Sequence, residues 1–160
     1  MELRLAEQLV KQLMQVHGIS PSLFKFTNAR NQLGVCKWKR DWDGSIICKA
    51  IGLSRFLVVL NDEQQVKLTM LHEIAHALVG YNHGHDRVWK LKVMEIGGNP
   101  SRTNGTAVMP KGRYKGTCDV CGKVFYKHRA GKHVRNGGYR HTVDGGNIIY
   151  VDTGRVAVLR

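Results

Sequence analysis

The chain has 160 residues and a mass of 18.0 kDa, 42% hydrophobic and 23% charged, which suits one compact domain with a small appended module and excludes two full-sized domains. Lys and Arg number 25 against 12 Asp and Glu, and the resulting net charge of +13 and pI near 9.9 favour a polyanionic partner, nucleic acid or an anionic membrane surface. Glu2, Arg4 and Glu7 interrupt the stretch where a signal peptide carries its apolar core, and no run approaches the ~18 apolar residues of a membrane span. The expectation is therefore an unsecreted protein with no membrane partner, cytoplasmic or otherwise intracellular, of a size that fits a bacterial or phage-encoded chain.

Residues 2–16 place Leu3, Leu5, Leu9, Val10, Leu13, Met14 and Val16 at near-helical spacing among Glu, Lys and Gln, which predicts an amphipathic helix closed by Gly18 and Pro21. Residues 23–60 then hold short runs rich in β-formers, Phe24–Phe26, Leu33–Trp38 and Ser45–Ile51, separated by Asn, Asp and Gly. The Asp43-Gly44 pair suggests a hairpin turn, and the expectation is a small antiparallel sheet. Cys36 and Cys48 fall in these strands and read as small buried apolar residues. The run from Asn61 to Gln64 reads as an N-cap with a capping Gln, opening a helix over about 62–79 that stops at Gly80. Asp86 opens another helix reaching Ile96, ended by Gly97-Gly98. Residues 99–116, with Pro100, Asn104, Gly105, Pro110, Gly112 and Gly116, read as a linker, and from 117 onward short strands and turns alternate.

Charge marks the same division, since residues 1–97 carry 13 basic and 9 acidic side chains whereas residues 98–160 carry 12 and 3. The expected organisation is a domain over 1–98, a linker over 99–116 and a basic module over 117–160.

The predicted helix 62–79 contains His72-Glu73-Ile74-Ala75-His76, which sets two imidazoles one turn apart on one face with a carboxylate beside the first. A catalytic zinc takes about three protein ligands and leaves a position open for water, for which a neighbouring carboxylate serves as general base. His72, His76 and Glu73 supply three of those parts. A di-iron bundle needs a second Glu-x-x-His, and the sequence has none. The third ligand comes from outside the helix, and spacing leaves His83 and His85 both open.

From Leu33-Gly34-Val35-Cys36, through Leu71–Leu78, to His85-Asp86-Arg87-Val88-Trp89 and Cys118-Asp119-Val120-Cys121-Gly122, the chain resembles the SprT-like metallopeptidases, the family that includes the DNA-dependent protease Spartan. In that family the third ligand is a histidine four residues before an aromatic residue, which His85 matches through Trp89, leaving His83 as the alternative. The resemblance implies an α+β, zincin-like domain comprising an N-terminal helix, a small sheet, the HExxH helix and a second helix. It implies zinc-dependent peptide-bond hydrolysis, with Glu73 as general base, on protein substrates that are DNA-bound.

Cys118-x-x-Cys121-Gly122 resembles the first knuckle of a zinc ribbon, which needs a second ligand pair some 15 to 20 residues on. After 19 intervening residues stands His141-Thr142-Val143-Asp144-Gly145-Gly146, where similar SprT-like ribbons carry Cys-x-x-Cys-Gly-Gly. Either a second, structural zinc is held by Cys118, Cys121, His141 and Asp144, with His128 or His133 as substitutes, or the module keeps its fold by packing alone. Around it stand Lys123, Lys127, Arg129, Lys132, Arg135 and Arg140, interleaved with Phe125, Tyr126 and Tyr139, a composition suited to single-stranded or junction DNA with weak sequence preference. The expected protein is a monomer. The rival reading is a non-catalytic nucleic-acid-binding protein with structural zinc sites, against which Glu73 argues.

Overall fold

In the computed structural model, which describes residues 1–101 and 106–154, the first helix, α1, spans Leu3–Val16. Its apolar periodicity turns Ala6, Val10 and Met14 into a buried stripe. A single 3-10 turn at Pro21–Leu23 leads into strand β1, Phe24–Thr27, followed by β2, Gly34–Arg40, and β3, Ile46–Ser54.

The three strands lie in the order β1-β3-β2. β2 and β3 form the expected antiparallel hairpin, closed by the Asp41 N–H donating to Ser45 O at 2.8 Å. The sheet is mixed, however, because β1 runs parallel to β3 with Phe24 opposite Ile51 and Thr27 opposite Ser54. Side chains alternate with the same period in parallel and antiparallel strands, so the sequence pattern carries no sign of direction. The connection 28–33 decides it by carrying the chain past the end of β3 to the far edge. Two bonds hold that connection: the Ser54 hydroxyl donates to Ala29 O at 2.7 Å and the Ser54 N–H donates to Leu33 O at 2.8 Å.

The same Ser54 oxygen accepts from the N–H groups of Phe56 and Leu57 and so starts α2, Arg55–Leu60, a helix whose Arg-Phe-Leu-Val-Val-Leu run carries no periodicity and was not expected. Helix α3 spans Glu63–Val79. Its N-cap is Asp62, whose carboxylate accepts from the Gln65 N–H at 2.8 Å, and not Asn61. Asn61 is buried and uses its amide elsewhere: it donates to Leu57 O and Val108 O, both at 2.9 Å, and accepts from the Val108 N–H at 2.6 Å. Helix α4, Arg87–Glu95, is capped by Asp86 through the Trp89 N–H, at 3.0 Å. The main core joins Ala6, Val10 and Met14 of α1 to Ile51 and Leu53 of β3, Leu57 and Val58 of α2, and Val66, Met70 and Ile74 of α3.

The chain divides into two compact units, Met1–Pro110 and Lys111–Arg160. The first two-thirds of the stretch read as a linker, residues 99–110, therefore falls in the first unit, where Asn61 pins Val108 and Ala107 packs on the core. The expected linker residues 102–105 and the module's last residues 155–160 lie outside the described residues.

The second unit is an antiparallel sheet in the order β5-β4-β7-β6, built from β4 (Tyr114–Cys118), β5 (Val124–Lys127), β6 (Tyr139–Arg140) and β7 (Asn147–Asp152). One helical turn, α5 at Lys132–Arg135, interrupts the strands. Apart from glycines, its buried residues among those described are Cys118, Val134, His141 and Ile148. The chain as described is α+β, and no helix in it is long and apolar enough to cross a membrane.

Candidate metal centres

His72 and His76 stand one turn apart on α3, and Gly80 ends that helix so that the following loop returns His85 to the same point. The Nε2 atom of His85 lies 3.0 Å from Nε2 of His72 and 3.3 Å from Nε2 of His76. A tetrahedral ion with metal–nitrogen bonds of about 2.0–2.1 Å sets its ligand nitrogens about 3.3 Å apart, so the three imidazoles fit zinc. Burial, followed by the neighbouring His76 and His85 rings, holds His72 down to about 4, and burial first also lowers His76. Both are thus kept neutral, the form that offers a lone pair.

Trp89 forms the wall behind this cluster. Its ring centroid lies 4.6 Å from His72, 5.2 Å from His76 and 4.6 Å from His85, and the indole is fully buried. The Asp86 cap that starts α4 fixes where this wall stands. The other Asp86 oxygen engages His83 Nδ1 at 2.8 Å, which holds His83 at the rim of the cleft. Of the two histidines that spacing left open, the structure brings His85 and not His83 into the cluster.

Glu73 points to the other side of the same cleft, 7% exposed. Burial raises its carboxyl to about 8, against the opposing effect of the Cys36 backbone N–H, which donates to it. The cleft, about 630 Å³, runs along β2, an edge strand of its sheet, and is lined by Gly34, Val35, Cys36 and Trp38 from that strand. Trp38 meets Tyr81 edge to face at 6.0 Å between centroids. Gly34, Trp38 and Tyr81 were not foreseen as site residues; only their nearness in space to the histidines marks them.

The second unit gathers Cys118, Cys121, His141 and Asp144 so that their ligand atoms all lie within 4.8 Å of one another. Cys121 Sγ is 3.4 Å from His141 Nδ1, that nitrogen is 2.8 Å from an Asp144 oxygen, and the other Asp144 oxygen is 3.4 Å from Cys118 Sγ. His128 and His133 lie outside the cluster, and His133 packs instead on Tyr139.

Two turns present these four side chains, and their backbones are equivalent. In the first, the Gly122 N–H donates to Cys118 O and the Cys118 N–H to Lys123 O, both at 3.0 Å. In the second, the Gly145 N–H donates to His141 O and the His141 N–H to Gly146 O, both at 2.8 Å. Gly122 and Gly145 have φ of +71° and +72°, a left-handed conformation that glycine adopts without strain. The Cys-x-x-Cys backbone is therefore repeated under a His-x-x-Asp sequence. The Asp144 carboxylate raises the exposed Cys121 thiol, and its own protonation is suppressed by hydrogen bonds from Cys121 and the Gly146 N–H. Acceptor groups crowded in this way, with two thiols among them, fit a thiophilic cation such as zinc.

Of the basic residues expected to meet nucleic acid, Lys123, Arg129, Lys132 and Arg140 are exposed. Lys127 is half-buried, with its ammonium 4.0 Å from the centre of the Tyr139 ring, and the side chain of Arg135 lies outside the described residues. Cys36 and Cys48, read as buried apolar residues, are half-buried and face each other.

No curated protein and no solved structure matches the chain. The model of the SprT-like family matches residues 3–109, nearly all of the first unit and none of the second. That match spans the HExxH helix, the edge strand and the loop that carries His85, and the chain belongs to the SprT-like family.

Proposed function

We propose that the chain is a zinc metallopeptidase with a zincin-like catalytic unit, that it acts on DNA-bound proteins, and that its second unit is a zinc-ribbon-like DNA-binding module. One observation carries the enzymatic part: three imidazoles converge in a cleft that also holds a buried carboxyl from the helix carrying two of them. A purely structural metal site has no use for that carboxyl.

His72, His76 and His85 would hold the ion, with Trp89 fixing their rings. Bound zinc supplies Lewis-acid polarisation of a carbonyl and acidity to a water. Glu73 takes the proton from the attacking water and delivers it to the departing amine. A carboxyl that titrates near neutrality suits both steps. The unpaired edge of β2 beside the cleft offers backbone groups to an extended peptide, which would lay the bond to be cut across the site. In the second unit Cys118, Cys121, His141 and Asp144 would hold a structural zinc, while Lys123, Arg129, Lys132 and Arg140 meet phosphates.

The test compares wild type with Glu73→Gln on a protein bound to single-stranded DNA, with and without the DNA, alongside zinc content. The variant is expected to keep its zinc and lose cleavage by about 10²–10⁴-fold. Unchanged cleavage would overturn the role of Glu73, and cleavage indifferent to DNA would overturn the choice of substrate.

A further inference from the structure

Two cysteines outside both metal clusters meet across the first sheet. Cys36 on β2 and Cys48 on β3 lie diagonally across the irregularity at Lys37/Trp38, with their Sγ atoms 3.7 Å apart. Both are half-buried, so small solutes can reach them, and Cys36 lines the cleft. We propose that Cys36 and Cys48 form an oxidisable dithiol, which a peroxide converts into a disulfide across β2 and β3 beside the catalytic cleft.

The geometry favours closure. A disulfide sets its sulfurs about 2.05 Å apart, so the two atoms must approach by less than roughly 2 Å. They already sit on hydrogen-bonded neighbouring strands, and side-chain rotation supplies much of that approach. The contact also activates one sulfur, since a proton donated across it stabilises the partner's thiolate. The hydrogen bond from Cys36 lowers the Cys48 thiol to about 7, while donating that proton and being buried hold Cys36 up.

In the first step the Cys48 thiolate attacks a peroxide oxygen. An S–O bond forms, the O–O bond breaks, and the released hydroxide takes up a proton as water, leaving Cys48 as a sulfenic acid. In the second step the Cys36 sulfur attacks Cys48. An S–S bond forms, the S–O bond breaks, and hydroxide leaves with the Cys36 proton as a second water. The thiols lose two electrons and the peroxide gains them. Cys36 lines the cleft two residues beyond Gly34, which packs on Glu73, so the new bond ties β2 to β3 beside the catalytic carboxyl.

The test reads mass and so does not depend on peptidase activity. Reduced full-length protein is treated with a few equivalents of hydrogen peroxide, alkylated and digested with trypsin. The expected product joins the peptides spanning residues 31–37 and 41–49, lighter by two hydrogens and separated again by dithiothreitol. Cys36→Ser is expected to abolish the link and leave a sulfenic acid on Cys48 that dimedone traps, and Cys48→Ser to abolish both. The proposal is overturned if both residues stay open to alkylation while Cys118 and Cys121 oxidise. It is equally overturned if oxidised Cys48 accumulates in wild type without the link.

Discussion

Gly34 and Glu73 are packed so closely that a methyl group on the glycine would come within 2.7 Å of a carboxylate oxygen and 2.8 Å of Cγ. The carboxyl therefore lies directly over the backbone of the edge strand, and the strand's lack of a side chain at this point gives it room. Gly34→Ala is expected to displace Glu73 without touching the histidines. Cleavage should fall by about 10–100-fold, the usual result of a misplacement near 1 Å, with zinc content unchanged. Steady-state kinetics alongside metal analysis check this, and full activity would show that the contact does not set the position of Glu73.

The two loop histidines separate into different roles. His85→Ala removes a ligand, so zinc at the first site should be lost or weakened by orders of magnitude. His83→Ala leaves the three nitrogens in place and should retain zinc. Metal content after dialysis against a mild chelator distinguishes them, and equal loss from both variants would contradict the assignment.

Zinc stoichiometry tests the second unit. With so few buried residues, this unit is expected to depend for stability on an ion held between its two turns. Wild type is expected to carry two zinc ions, and Cys118→Ser or Asp144→Ala one. Limited proteolysis should then cut the second unit first. A wild-type value of one ion, with residues 111–154 still protected, would show that packing alone maintains it.

Asn61 closes a local account of hydrogen bonds, satisfying both the N–H and the C=O of Val108. Asn61→Ala leaves these groups and Leu57 O without that partner, at a cost of about 1–3 kcal/mol. Thermal unfolding should show the loss, and hydrogen exchange should place it at residues 106–109. An unchanged melting temperature would show that water replaces the amide.

Binding of single-stranded DNA should weaken with salt, since each neutralised phosphate contributes about −0.7 to the slope of log K against log salt. Replacing Arg129, Lys132 and Arg140 together by Ala is expected to reduce that slope by about 2. An unchanged slope would place the contacts elsewhere.

Local patterns carried much of this in advance. Helices α1, α3 and α4 follow from apolar periodicity and nearby caps, and the β2–β3 hairpin from an Asp-Gly turn between β-rich runs. Helix α2 escaped because its apolar run has no period and its cap, Ser54, is also the last residue of β3. Within the stretch read as a linker, Val108 is held by Asn61, a contact that Pro and Gly do not announce, since they mark a turn but say nothing of what it packs against.

By itself the sequence determined the features that depend on spacing of a few residues. His72 and His76 face one way because a helix repeats every 3.6 residues, and Cys118-x-x-Cys121 turns as it does because a glycine follows. Tertiary structure alone decided that Glu73 lies over Gly34 and Cys36 against Cys48, whereas His85 and the His141–Asp144 pair were expected from the family resemblance and from spacing, and the fold brings them to their partners. These pairings are set by strand register and by where loops return the chain. Long-range hydrogen bonds and core packing fix both, and no short stretch of sequence records either.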